Sequence, residues 1–172
     1  MNSIIKLLAL AVIGLFAISA CSGESHSEKD TAQMTQEKQT LEVAQSFLEA
    51  AGSGDMSTLS DLMADDFVWH IEGDTTLPWI GNWEGKETVL TEFLPAFGAG
   101  LQATSWTTDY NFVNGDQAVF IGTMSATATN SGVNTGSFSW AVRVHVADGK
   151  VKSWNWFEDS FAVSKAYHAG GE

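Results

Sequence analysis

Apolar residues recur at helical spacing from Leu41: Leu41, Ala44, Leu48 and Ala51, flanked by Val43 and Phe47, form one face that Gly52-Ser53-Gly54 ends. Asp55 is placed to cap a second, short helix turning Leu59, Leu62 and Met63 inward. The turn Ala64-Asp65-Asp66 leads into a strand from Phe67 to Ile71. A loop carrying Gly73, Pro78, Gly81 and Gly85 precedes a third helix with Val89, Leu90, Phe93, Leu94 and Phe97 on one side. Pro95 is expected to kink or end that helix, because it has no N–H to donate. From there the chain reads as sheet. Asn114-Gly115 and Asp148-Gly149 are two-residue hairpin turns. They divide the remainder into strands at about Gln102 to Val113, Asp116 to Thr129, Thr135 to Val146 and Val151 to Phe161. Helices first and a meandering antiparallel sheet afterwards predict an α+β fold, with helices covering one face of a curved sheet.

The hairpin turn at Asp148-Gly149 sets a register. Ala147 faces Lys150, so Val144 faces Ser153, Val142 faces Asn155, Trp140 faces Phe157 and Phe138 faces Asp159. Alternation then puts Phe138, Trp140, Val142 and Val144 on one face with Asn155, Phe157, Asp159 and Phe161. This apolar face is expected to meet the helices. Asp159 would be an acid among phenylalanines, either bonded to backbone or water at the sheet's end or raised in pKa and poised for proton transfer. The opposite face would carry Trp154 and Trp156, with Arg143 across from Trp154. Two exposed tryptophans predict a homodimer through that outer face. His70 points away from Trp69 and is expected to be structural or at a rim.

Composition narrows the function classes. The 172-residue chain suits one core, and its net charge of −13 leaves no footprint for nucleic acid. A single cysteine excludes an internal disulfide, and no Cys/His cluster has zinc spacing, so neither metal nor cofactor is expected. Residues 1–20 comprise a short start with Lys6 and an apolar run from Leu7 to Ile18, which suits a secretory signal better than a membrane span. Ile18-Ser19-Ala20-Cys21 resembles the bacterial lipobox. That resemblance implies cleavage after Ala20 and lipid on Cys21, and Ser22 after the cysteine points to the outer membrane with the domain facing the periplasm. Residues 21–39 would be a lipidated tether, flexible in its first half, and residues 40–168 the folded domain.

Several short motifs in order resemble one family. They are Gly54-Asp55, Phe67-Val68-Trp69-His70 after Asp65-Asp66, Leu77-Pro78-Trp79, Gly85-Lys86-Glu87-Thr88-Val89, Asp148-Gly149-Lys150-Val151 and Trp156-Phe157-Glu158-Asp159. Together they look like the SnoaL-like branch of the nuclear transport factor 2-like superfamily, whose relatives include polyketide cyclases, ketosteroid isomerase and limonene-epoxide hydrolase. The resemblance implies a cone: a curved antiparallel sheet wrapped around three N-terminal helices, enclosing a largely apolar pocket. It matches Asp159 to the last-strand acid of the cyclases. Trp69 and Ile71 stand where the epoxide hydrolase carries Tyr and Asn, and no charge stands at Thr123 to Ser125 for its Arg-x-Asp pair. Ketosteroid isomerase needs a first-strand Asp as base, where Ile71 is again the nearest match, so the resemblance disfavours both epoxide hydrolysis and steroid isomerisation. The expected pocket is Trp69, Ile71, Trp79, Trp83, Phe138, Trp140, Asn155 and Phe157, holding a small apolar or ring-containing molecule. Two readings stay open: cofactor-free proton transfer by Asp159, or a non-catalytic binding or dimerisation module of the cell envelope.

Overall fold

The computed structural model describes residues 24–170. The expected signal at residues 1–20 and the lipidation position Cys21 lie outside the described residues. The first helix, α1 (Glu24–Ser53), begins far earlier than its apolar face. Residues from Glu24 to Gln39, expected to be partly flexible, are helical. Local pairs support this polar half, with Gln33 Nε2 donating to Glu37 Oε1 at 2.9 Å and Lys38 paired to Glu42 at 3.7 Å. Docking on the domain starts at Glu37 and Thr40. Glu37 Oε1 accepts the Gly115 N–H at 3.2 Å, and the buried Thr40 hydroxyl donates to the Gly115 carbonyl at 2.9 Å.

Asp55 caps α2 (Met56–Leu62) through the Thr58 N–H, as its position predicts. Met63, expected on that helix, instead opens β1 (Met63–Ile71). After β2 (Gly81–Glu84) comes a continuous helical segment: α3 (Lys86–Thr88), a π-helical turn (Val89–Phe93) and α4 (Leu94–Gly100). Pro95 does not end it. The wide turn just before Pro95 absorbs the missing N–H, and the helix runs on with Val89 and Phe93 fully buried.

The sheet continues with β3 (Leu101–Asn114), β4 (Gln117–Ala128), β5 (Phe138–Ala147) and β6 (Lys150–Phe157), in the order β2-β1-β6-β5-β4-β3. All neighbours are antiparallel except β1 and β6, which run parallel. The sheet is curved and unclosed, with β3 as a free edge and the helices on its concave side. The β5–β6 turn is as expected, with Asp148 (φ 53°) and Gly149 (φ 70°) both left-handed. The β3–β4 turn is shifted by one residue, because Asn114 pairs with Gln117 and the loop is Gly115-Asp116.

One bulge overturns the expected register. Ala147 faces Lys150 and Val146 faces Val151, but His145 then faces Ser153. Lys152 is the extra residue, and its ammonium is held by Asp66 of β1 at 2.6 Å. Everything beyond it changes face: Trp154 pairs with Val144 and Trp156 with Val142, both buried on the concave side. Asn155 and Phe157 turn outward, and Asn155 Oδ1 accepts from Arg143 at 3.2 Å. The inner face of β5 is as predicted, with Phe138, Trp140, Val142 and Val144 all buried. The outer face lacks the two tryptophans on which the dimer expectation rested.

The last expected strand also ends early. Asp159 is the N-cap of α5 (Ser160–His168), its carboxylate accepting the Ala162 N–H at 3.0 Å. α5 packs against β4 and the loop that follows it. Ser131 Oγ donates to the Ala166 carbonyl at 2.6 Å, and Ser164 Oγ donates to Asp74 Oδ2 at 2.5 Å. Hydrogen bonds from Ser164 and Thr76, with His168 nearby, hold the Asp74 carboxyl well below the usual range.

Two glycines make room for indoles. A Cβ on Gly100 would stand 1.9 Å from the Trp79 ring, and one on Gly122 would stand 1.9 Å from the Thr107 carbonyl oxygen and 2.8 Å from Trp140. At Gly122 the obstruction is backbone, which cannot swing away. Gly122→Ala should therefore lower unfolding free energy by about 3 kcal/mol or more in denaturant titration, and a loss below about 1 kcal/mol would contradict this packing.

Candidate functional site

The concave face holds an aromatic cavity of about 190 Å³. Each wall comes from a different element. Leu48, Ala51 and Gly52 come from the end of α1, Met56 and Leu59 from α2, Trp69 and Ile71 from β1, and Phe93, Leu94 and Phe97 from the π-turn and α4. Leu101, Ala103 and Trp106 of β3, Met124 of β4, and Trp154 and Trp156 of β6 complete it. Six of these side chains are aromatic and none is ionisable. Its rim includes Gly52, Met56 and Trp106, which are exposed, at the C-terminal end of α1.

Two aromatic clusters build the walls. Trp69 packs on Phe93 at 4.6 Å and on Trp154 at 5.3 Å, while Phe47 backs Trp154 at 5.1 Å. Trp106, Trp140 and Trp156 stack on one another, with centroids 4.2 Å, 5.5 Å and 5.2 Å apart. Trp69, Trp79, Trp140 and Trp154 bury their indole N–H groups without a hydrogen-bond partner. An unpaired donor costs about 1–3 kcal/mol, whereas burying an indole of roughly 200 Å² returns about 5 kcal/mol. Ring burial wins. Because the N–H groups of Trp69 and Trp154 are closed off, these two residues present ring surface to the cavity and not donors.

Of the expected pocket residues, the structure brings only Trp69 and Ile71 to this cavity. Trp79 is core, edge-on to Tyr167 at 5.3 Å, and Trp83 packs on Phe93 while its Nε1 donates to the Trp79 carbonyl. Phe138 and Trp140 are buried behind the wall, whereas Asn155 and Phe157 lie on the convex face because of the bulge. Asp159 is exposed and engaged as a helix cap, not set among phenylalanines. Of the two placements the sequence allowed, the structure shows the one bonded to backbone at the end of the sheet. His70 is on the convex side, away from the cavity and its rim, with its Nε2 3.2 Å from Glu72.

Sequence reasoning missed Trp106, Trp154, Trp156, Phe93 and Phe97 as cavity residues, and missed Glu158. The shifted parity makes Glu158, not Asp159, the acid that follows Trp154 and Trp156 on the inner side. Glu158 Oε2 accepts the Trp156 Nε1–H at 2.8 Å, while its Oε1 is buried without a partner. Burial pushes this carboxyl above the usual glutamate range; the Trp156 bond opposes the rise and nearby Asp159 adds to it. The carboxyl sits behind the indole of Trp156 and does not line the cavity. What it does there is fix the orientation of one wall ring. Among the described residues, no group of three His, Cys, Asp or Glu side chains is placed to hold a metal ion.

A family model described as the SnoaL-like domain matches residues 44–154. Among solved structures, the chain is similar to an NTF2-like protein from Burkholderia xenovorans LB400 at 19% identity and TM-score 0.67, covering 76% of this chain and 97% of that one. It is similar to a candidate SnoaL-like polyketide cyclase from Jannaschia sp. CCS1 at 18% identity and TM-score 0.63, covering 80% and 95%. It is also similar to TerC, co-crystallised with polyporic acid, at 16% identity and TM-score 0.65, covering 76% and 98%. At these identities the likeness is one of fold, the cone of the NTF2-like proteins. No curated protein matches the chain in sequence.

A buried acid with a raised pKa favours its protonated form, so its ionisation costs stability as pH rises from the unfolded value through the folded one. Glu158→Gln removes that cost. The stability of the variant relative to the parent should therefore improve as pH rises past the ordinary glutamate range in denaturant titrations, and a pH-independent difference would refute a buried carboxyl held above that range.

Proposed function

The chain belongs to the family of SnoaL-like domains, and from that premise we propose that its aromatic cavity binds a small apolar, ring-containing molecule. The observation that carries this reading is the wall itself: six aromatic and ten other apolar or small residues, with no ionisable side chain. Such a surface recognises shape and ring faces, and an apolar cavity of about 150 Å³ already accommodates benzene. A cavity of about 190 Å³ is suited to a single substituted ring. A fold neighbour co-crystallised with polyporic acid supports a small organic ligand. Binding without chemistry is the reading the geometry favours, since a catalytic acid must reach the reacting atoms and Asp159 caps α5 at the surface.

A second reading, cofactor-free proton transfer of the isomerase or cyclase type, is favoured by one observation, the raised and half-satisfied carboxyl of Glu158. It requires the Trp156 indole to swing aside so that Glu158 meets the ligand. Titration with toluene separates the cases. Binding should raise Tm and shift the methyl resonances of Met56, Leu59 and Met124. Gly52→Phe should abolish both effects, because an added side chain at Gly52 meets open space at the rim. Asp159→Asn should leave them within about twofold in Kd. Absence of binding by the parent protein would refute the cavity reading.

The envelope placement is part of the same proposal: lipid on Cys21 anchors the chain, and the polar half of α1 spaces the domain from the bilayer. Mass spectrometry of membrane-extracted protein should show a diacylglycerol-modified N-terminal Cys21, and Cys21→Ser should leave the protein out of the membrane fraction. An unmodified Cys21 would refute it.

The convex sheet face is proposed to pair with a second copy, now on different residues. Tyr110, Ile121, Ala141 and Phe157 stand in register across four strands, with Phe112 and Val119 beside them. Tyr110, Phe112 and Phe157 are exposed at 65%, 60% and 47%, an apolar patch of the kind that marks interfaces. Sedimentation should show a dimer that Ile121→Glu converts to a folded monomer, whereas a monomeric parent protein would refute it.

A further inference from the structure

The cavity does not end at Trp106. On the other side of the same indole a groove continues between α1 and the free edge strand β3, and Leu48, Gly52 and Trp106 are walls of both compartments. The character of the walls changes at that indole. The groove adds Gln45 and Glu49 from α1, and Thr108 and Asn111 from the concave side of β3. All four are exposed. Gln45 and Glu49 are one helical turn apart, and Gln45 Nε2 donates to Glu49 Oε1 at 3.0 Å. Glu49 is the one charged residue among the walls of cavity and groove together, and no Lys or Arg lines either.

We propose that the ligand is an amphiphile spanning both compartments, with its ring in the aromatic cavity and a donor-bearing end, an amine or hydroxyl, in the groove against Glu49. The inference rests on the cavity reading above and adds the chemistry of the second half of the ligand. A carboxylate or phosphate end meets no cation there. It meets Glu49 instead, on a chain whose net charge of −13 already repels anions. An ammonium is attracted by the same carboxylate, and a hydroxyl finds acceptors and donors in Glu49, Gln45 and Asn111. The indole of Trp106, exposed at 39% and stacked on Trp140, is a fixed edge over which the linker passes.

Three probes sharing one ring and one linker test this: 4-phenylbutylamine, 4-phenylbutan-1-ol and 4-phenylbutyrate, titrated by calorimetry at low ionic strength. The amine should bind about tenfold more tightly than the carboxylate, with the alcohol between them. Glu49→Gln should reduce the amine-to-carboxylate ratio to about twofold and leave the alcohol within about twofold. Glu28→Gln, at the distant end of α1, should leave the ratio unchanged; a collapse there too would mean that net charge alone discriminates, which overturns the proposal. Equal binding of amine and carboxylate, or a ratio that survives Glu49→Gln, overturns it as well. If toluene binds but none of the three probes does, the groove is not a continuation of the site, and this inference fails while the cavity reading stands. If toluene also fails, both fall.

Discussion

The extra residue at Lys152 governs the interior of this protein. A β-strand alternates its side chains with a period of two, so one unpaired residue reverses the face of all that follow. Here the reversal sends Trp154 and Trp156 to the concave side and Asn155 and Phe157 to the convex side. Without it the cavity would lose two of its six aromatic walls, and the outer face would carry two indoles. The Lys152 ammonium on Asp66 ties the bulge to β1, the strand with which β6 pairs in parallel. An exposed pair of this kind contributes little to stability by itself, about 0–1 kcal/mol. The larger driving force is burial of the two indoles, for which the concave side has room and the convex side has only water.

Packing around the indoles shows the same priority. Four N–H groups are left without acceptors, and Gly100 and Gly122 hold positions that any Cβ would obstruct. Both are local penalties accepted for ring burial. The buried N–H groups also help make the cavity apolar: those of Trp69 and Trp154 are closed off from it, and that of Trp156 is tied to Glu158.

The relation between acid and cavity decides the functional reading. A fold shared with cyclases and isomerases carries no activity with it. In this chain the surface acid at the end of β6 is occupied with capping a helix, and the interior acid is screened by an indole. On the proposed reading, the cavity and the polar groove beside it hold a molecule without transforming it. Chemistry would need a side-chain movement that the packed Trp106–Trp140–Trp156 stack resists.

Local chemistry alone determines a good deal of this protein. The Asp148-Gly149 turn, the Asp55 cap, the apolar stripe of α1 and the inner face of β5 all follow from residues within a few positions of one another. The cap at Asp159-Ser160 was legible in the same way, since an acid precedes Val163 and Ala166 at helical spacing with Lys165 and His168 in the last turn; extending the strand through it hid the signal. The polar start of α1 is likewise rich in helix formers whose i,i+4 pairs outweigh the lack of an apolar face. What only the tertiary structure decided is which side of β6 faces inward. The run Lys152-Ser153-Trp154-Asn155-Trp156-Phe157 alternates acceptably in either phase, with indoles on one side or a phenylalanine on the other. The choice rests on Asp66 and on the rings of Phe47, Trp69, Trp106 and Trp140 that receive the two indoles. These contacts are remote in sequence, and no local pattern encodes them.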